Sequence, residues 1–138
     1  MREILFRGKK YKTSVFDETD WVYGSLIDSG NHEQVTIYPW YNGASTMSVR
    51  QLVYARMEAV KPETVGQYTG LTDQNGKKIF EGDIVDCGYG ELTVVKWHEE
   101  SASFYMQGLE GSNWTFDFLE VEIIGNIHDN PELLQVSE

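Results

Sequence analysis

Apolar residues fall in short segments, each bounded by glycine, asparagine, aspartate or serine, a pattern that predicts strands joined by turns. Ile4-Leu5-Phe6-Arg7 opens the chain as an extended piece, and Gly8-Lys9-Lys10 follows as a predicted turn. Trp21-Val22-Tyr23-Gly24-Ser25-Leu26-Ile27 is rich in aromatic and branched side chains and lies between Asp20 and Asp28-Ser29-Gly30, which predicts a strand. Val35-Thr36-Ile37-Tyr38 predicts another. Pro39 ends it or places it on a sheet edge, because proline has no amide hydrogen to give a ladder.

Residues 46–61 fit two patterns. Val49, Leu52, Val53, Met57 and Val60 make a helical stripe with Ser48 and Gln51 at capping-box spacing. Val53, Ala55, Met57 and Ala59 also alternate with polar neighbours, and Lys61 precedes Pro62, a place that favours extended backbone. The end of this stretch is expected to be a strand. Further on, a turn centred on Asn75-Gly76 leads to Asp83-Ile84-Val85-Asp86, then to Leu92–Trp97, Ser103–Gln107 and Glu122–Ile127 as strands. Their spacing predicts a small bent barrel of the SH3-like type. Asn130-Pro131-Glu132-Leu133-Leu134 places a cap residue before proline and predicts a short C-terminal helix. The expected fold is mostly β of the α+β kind. A mixed α/β sub-domain spans residues 1–64, a glycine-punctuated connector 65–82, and an acidic SH3-like barrel with its helix 83–138.

Composition fits a folded domain: 138 residues, 41% hydrophobic and 24% charged. The net charge of -11 is unevenly placed. Residues 1–64 hold eight basic and eight acidic side chains, whereas residues 65–138 hold three and fourteen. Such a surface repels phosphate backbones, so nucleic acid is an unfavoured partner, above all for the second half; in the first half Arg7, Lys9, Lys10 and Lys12 are the basic exceptions. One cysteine, Cys87, excludes an internal disulfide and fits a reducing compartment. No apolar run approaches the length of a spanning helix, and the N-terminus does not read as a signal peptide, so no membrane association is expected.

Candidate chemistry is sparse. Between Gly70 and Gly76-Lys77 stand five residues instead of the four of a phosphate loop, and Lys78 occupies the hydroxyl position. Gly88-Tyr89-Gly90 starts a dinucleotide pattern that Thr93 breaks. His98-Glu99 lacks the second histidine of a zinc-protease helix, since position 102 is alanine, and His32, His98 and His128 lie far apart. Cys87, ending a strand, reads as a small buried hydrophobe before it reads as a nucleophile. No catalytic residue, metal ligand or cofactor is expected. Trp40 and Tyr41, beside Pro39 and the Asn42-Gly43 turn, are candidate contact residues.

Met1-Arg2-Glu3-Ile4, Trp21-Val22-Tyr23-Gly24, the stretch Pro62-Glu63-Thr64-Val65-Gly66-Gln67-Tyr68-Thr69-Gly70-Leu71, Asn75-Gly76-Lys77, Glu81-Gly82-Asp83-Ile84-Val85 and the closing Ile124–Leu134 together resemble the YopX family of phage and prophage proteins. The resemblance implies a small protein encoded by a phage or integrated prophage and made in the cytoplasm of the bacterial host. It also implies a mixed N-terminal part followed by an SH3-like barrel, and it brings no catalytic residue. Its most specific positions, Pro62, Glu63, Thr64, Gly66, Gln67, Tyr68, Gly70, Gly76, Gly82 and Asp83, read as a connector that turns repeatedly; Gln67, Tyr68 and Thr69 are the alternative, presenting polar groups to a ligand. The expected function is a non-enzymatic accessory protein acting through protein contacts, self-association or a host protein. The alternatives are an acidic DNA-mimicking inhibitor of a basic host nucleic-acid-binding protein and, least favoured, an enzyme or binder of a small phosphorylated ligand.

Overall fold

The computed structural model describes residues 2–11, 15, 19–39, 48, 56–88, 90–116 and 120–135. Its chain divides into two compact units, Met1–Gln67 and Tyr68–Glu138. Every strand pairing among the described residues is antiparallel.

In the first unit, β1 (Phe6–Lys9), β2 (Trp21–Asp28), β3 (Val35–Pro39) and β4 (Glu58–Val60) lie in the order β4-β3-β2-β1. The start of β5 (Gly66–Thr72) follows, with Gly66 and Gln67 opposite Arg7 and Phe6. The strands obey the period of two that the sequence predicts for β2 and β3. Val22, Val35, Ile37 and Val60 form the buried cluster, with Phe6, Leu26 and Val65 packed against it. Burial of each such side chain contributes about 1.5–3 kcal/mol. The sheet curls until Val60 bridges Lys10 and the Lys61 N–H donates to the Lys9 carbonyl at 2.8 Å. Gly8, expected in a turn, is therefore a strand residue: Val60 packs where its side chain would stand. Pro39 closes β3 opposite Gly24, beyond the residues that β4 pairs, so its missing amide interrupts no ladder bond to β4.

In the second unit, β5 continues from Tyr68 and forms a hairpin with β6 (Lys78–Phe80). Strands β7 (Asp83–Asp86), β8 (Leu92–His98), β9 (Ser103–Gly108), β10 (Asn113–Trp114) and β11 (Glu122–Asn126) form a sheet ordered β10-β9-β8-β7-β11. Ile79, Val85, Cys87, Val95, Met106 and Val121 make its core, against which Phe104, Trp114, Phe116 and Ile123 pack.

Three expectations are corrected. The second unit is not an SH3-like barrel: β10 and β11 stand at opposite edges of an open sheet and do not pair. Strand spacing specifies how many strands form; closure depends on free edges, and the β11 edge is already filled by side chains. The C-terminal helix is one 3-10 turn, Pro131–Leu134, because the Asn130 side chain accepts from the Asn126 N–H and does not cap, and Leu133 and Gln135 make three-residue bonds. The mixed α/β N-terminal part is not found among the described residues, where no helix of seven residues or more occurs and Arg56 is the helical residue of the first unit outside the Pro62–Thr64 turn. Of residues 46–61, the structure describes Ser48 and Arg56 onward, and Glu58–Val60 is a strand, as the end of that stretch was expected to be. The turn at Asn42-Gly43 lies outside the described residues.

Gly24 is the tightest point of the β2–β3 pairing. A Cβ there would sit 2.7 Å from the Tyr38 carbonyl carbon and 2.9 Å from the Pro39 Cα, both backbone atoms that cannot rotate away. Gly24→Ala is expected to lower stability by about 2 kcal/mol, read as a shift in the urea midpoint; a loss below about 0.5 kcal/mol would mean that the pairing is not strained there.

Candidate functional site

The most specific positions of the family resemblance lie between Pro62 and Asp83, where the Thr64 and Asp83 side chains are bonded to backbone groups. Pro62–Thr64 forms a 3-10 turn in which the buried Thr64 hydroxyl donates to the Lys61 carbonyl at 2.6 Å and accepts from the Lys9 N–H at 2.9 Å, fixing the turn to β1. Glu63 is exposed in that turn. Gly66 is buried opposite Arg7. Tyr68 is buried with its ring 5.6 Å from that of Phe80, and the Lys78 ammonium lies 5.4 Å from the Tyr68 ring. Between Tyr68 and Thr72 the register shifts, a bulge in which Gly70 takes a φ of 90° and the Thr69 hydroxyl donates to the Ile79 carbonyl at 2.9 Å. Gln67 is half-buried at the junction of the two pairings of β5.

The hairpin tip is organised by Asp73, a residue that the sequence reading passed over. Asp73 is 6% exposed. Its Oδ1 accepts from the N–H groups of Asn75 and Lys77, both at 2.9 Å, while Oδ2 accepts from Ile123 N–H at 3.1 Å. The turn therefore spans Asp73–Gly76, one step earlier than the Asn75-Gly76 centre predicted: Gly76 N–H donates to the Asp73 carbonyl, and Gly76 closes the turn at a φ of 81°. Aspartate two residues before asparagine is a local turn signal; its bond to a strand fifty residues away has no local signal. Burial pushes the Asp73 carboxyl up, but the Ile123, Lys77 and Asn75 amides and the Lys77 charge outweigh it and hold the group below its ordinary value. At the next turn Asp83, 2% exposed, accepts from Phe80 N–H at 2.8 Å, and Gly82 donates to the Val95 carbonyl and accepts from Ile127 N–H.

Two basic residues of the first unit, Arg7 and Lys9, lie beside Trp21. The Arg7 guanidinium lies 4.7 Å from the Trp21 ring centre and is buried, and the Lys9 ammonium lies 5.7 Å from that ring and 3.3 Å from the Asp20 carboxylate. Trp40 and Tyr41, the predicted contact residues, lie outside the described residues, as does Lys12. Each histidine has a local partner: the His32 ring meets the Asp28 carboxylate, the His98 ring meets Ser101 Oγ at 2.7 Å, and His128 N–H donates to Asn126 Oδ1. No group of three metal-ligating side chains occurs among the described residues. No helix among them is long and apolar enough to cross a membrane.

Residues 7–135 match the family described as YopX protein. The chain belongs to the YopX family. Its match runs through both units, as the spread of the resembling segments along the sequence implies. Among solved structures, this YopX chain is similar to the crystal structure of protein EF1440 from Enterococcus faecalis, at 22% identity and a TM-score of 0.57, over 98% of this chain and 100% of that one. That likeness is one of fold. No curated protein matches the sequence.

Cys87 sits in the core of the second unit, 3% exposed, with Sγ 3.6 Å from Thr93 Oγ1 and 3.7 Å from Met106 Sδ. Burial raises its thiol above the usual range, and the Thr93 hydroxyl only partly opposes this. A water-soluble disulfide reagent is expected to titrate Cys87 only as the protein unfolds, with a rate that follows urea concentration; fast reaction of the native protein would place the thiol outside the core.

Asp73 sets a pH dependence. Because its folded value lies below the unfolded one, its contribution is complete above about pH 4 and is lost as the pH falls through the folded value. Asp73→Asn is expected to cost about 2 kcal/mol at neutral pH and to flatten the acid limb of urea midpoints measured from neutral pH downward. An acid limb identical to that of the wild type would overturn this assignment.

Proposed function

We propose that this phage-type protein is a non-enzymatic accessory protein of the bacterial cytoplasm, acting through protein contacts that include self-association of its first unit. The supporting observation is the outer face of the β2–β4 sheet. Tyr23, Ser25 and Ile27 form an exposed stripe along β2, with Tyr23 at 42% and Ile27 at 41% exposure. By register Tyr38, Thr36 and the exposed Ala59 continue that face across β3 and β4. Residues 1–64 carry no net charge, so two copies approach through this unit without the repulsion that residues 65–138 impose.

The same geometry supports protein over nucleic acid as partner. Arg7 is buried against Trp21 and Lys9 is ion-paired with Asp20, so two of the eight basic side chains of residues 1–64 are turned away from a phosphate. The acidic-inhibitor alternative draws on the fourteen carboxylates of residues 65–138, and two of them, Asp73 and Asp83, are interior groups that hold turns. Neither a cofactor nor a metal enters the proposal.

A three-strand face of this length offers roughly 350 Å² per copy, under half of the roughly 800 Å² of a standard interface. Association is therefore expected to be weak and concentration-dependent. Light scattering across a concentration series should show mass rising for the wild type. The Tyr23→Lys, Ile27→Lys double variant should stay monomeric with unchanged circular dichroism and melting. A wild type that is monomeric throughout, together with pull-downs from host lysate that recover nothing, would overturn the proposal.

A further inference from the structure

The outer strand of the second unit has its hydrogen-bonding groups occupied by loops. Strand β11 pairs with β7 on one side only. On the other side, the Val121 carbonyl just before it accepts from Gln74 N–H at 2.9 Å, and Ile123 N–H donates to Asp73 Oδ2. Beyond a register shift between Ile123 and Gly125, Asn126 N–H donates to Asn130 Oδ1 at 3.2 Å, and the Asn126 carbonyl accepts from Asn130 N–H at 2.9 Å. The opposite edge strand, β10, is two residues long. An unprotected edge of five residues such as β11 is a template for strand addition, and natural sheets cover or shorten such edges.

We propose that the tip of the β5–β6 hairpin is an autoinhibitory clasp: Asp73 and Gln74 hold the positions on β11 that the β11 strand of a second copy would otherwise take. Two oxygens of one carboxylate separate the clasp from the loop that presents it. Oδ1 serves the turn through Asn75 and Lys77, and Oδ2 serves the edge through Ile123. With the clasp released, antiparallel β11–β11 pairing about a two-fold axis is the simplest closed arrangement, because each copy offers the same edge. Ile124, 39% exposed, would be covered by it. Glu122 on the same strand opposes that pairing by like-charge repulsion, so salt favours it.

Asp73→Asn isolates the clasp. Its amide oxygen can keep the two turn bonds, which leaves the amide nitrogen, a donor, facing the Ile123 donor. The test uses the full chain carrying Tyr23→Lys and Ile27→Lys, so that its result is independent of association through the first unit. Amide exchange and sedimentation velocity are measured with and without Asp73→Asn, at about 50 mM and about 500 mM salt. The expected result is a loss of Ile123 protection of about tenfold or more at the lowest concentration, where the variant is monomeric, with unchanged protection at Asn75 and Lys77, and a dimer that grows with concentration and salt and restores Ile123 protection as it forms. Two results overturn the inference: an Ile123 amide that is unprotected with Asp73 intact, or an Asp73→Asn protein that loses Ile123 protection and remains monomeric at every concentration and salt. If Asp73→Asn does not fold, Asn130→Ala opens the far end of the same edge and is judged by the same dimer.

Discussion

Backbone amides and carbonyls on the outer strand of an open sheet must be bonded or meet water, and an edge left bare invites another chain. Both units are arranged around that constraint. In the first, the curl of the sheet brings Val60 of β4 to Lys10 and Lys61 to the Lys9 carbonyl, so the strand that ends the order has partners on its far side. In the second, one edge strand is only two residues long, and the other edge is bonded by Asp73, Gln74 and Asn130.

This gives the family-specific stretch a physical reading. Thr64 fixes a turn to β1, Asp73 fixes the hairpin tip to β11, and Asp83 fixes the turn into β7. Each is a buried polar group satisfied by backbone N–H donors, the arrangement in which such a group stabilises instead of costing free energy. The hairpin also contributes Ile79 to the second core, so the polar anchors at its tip position an apolar one. Pro62, Glu63, Thr64, Gly66, Tyr68, Gly70, Gly76, Gly82 and Asp83 thus occupy turns, a bulge and strand pairings, a distribution suited to a scaffold.

Polar commitment inside the second unit contrasts with the outer face of the first. There, tyrosine and isoleucine are exposed on a sheet within residues 1–64, whose charge sums to zero, and Arg7 and Lys9 are turned onto Trp21 and Asp20. The chain's net negative charge lies entirely in residues 65–138, and residues 1–64 carry none.

The sequence by itself determined the family, the strands β2, β3, β7, β8 and β9, and the burial of Cys87, because alternation and turn residues are local properties that a strand carries with it. It placed Gly8-Lys9 in a turn and the segment after Asn130 in a helix, where Val60 and Asn126, distant or already engaged, decided otherwise. It also suggested a closed barrel. Only the tertiary structure decided that the sheet stays open, since closure depends on which groups reach the edges. The group that reaches β11 is a carboxylate fifty residues upstream of the amide it binds. Local periodicity has no means of recording a bond of that length.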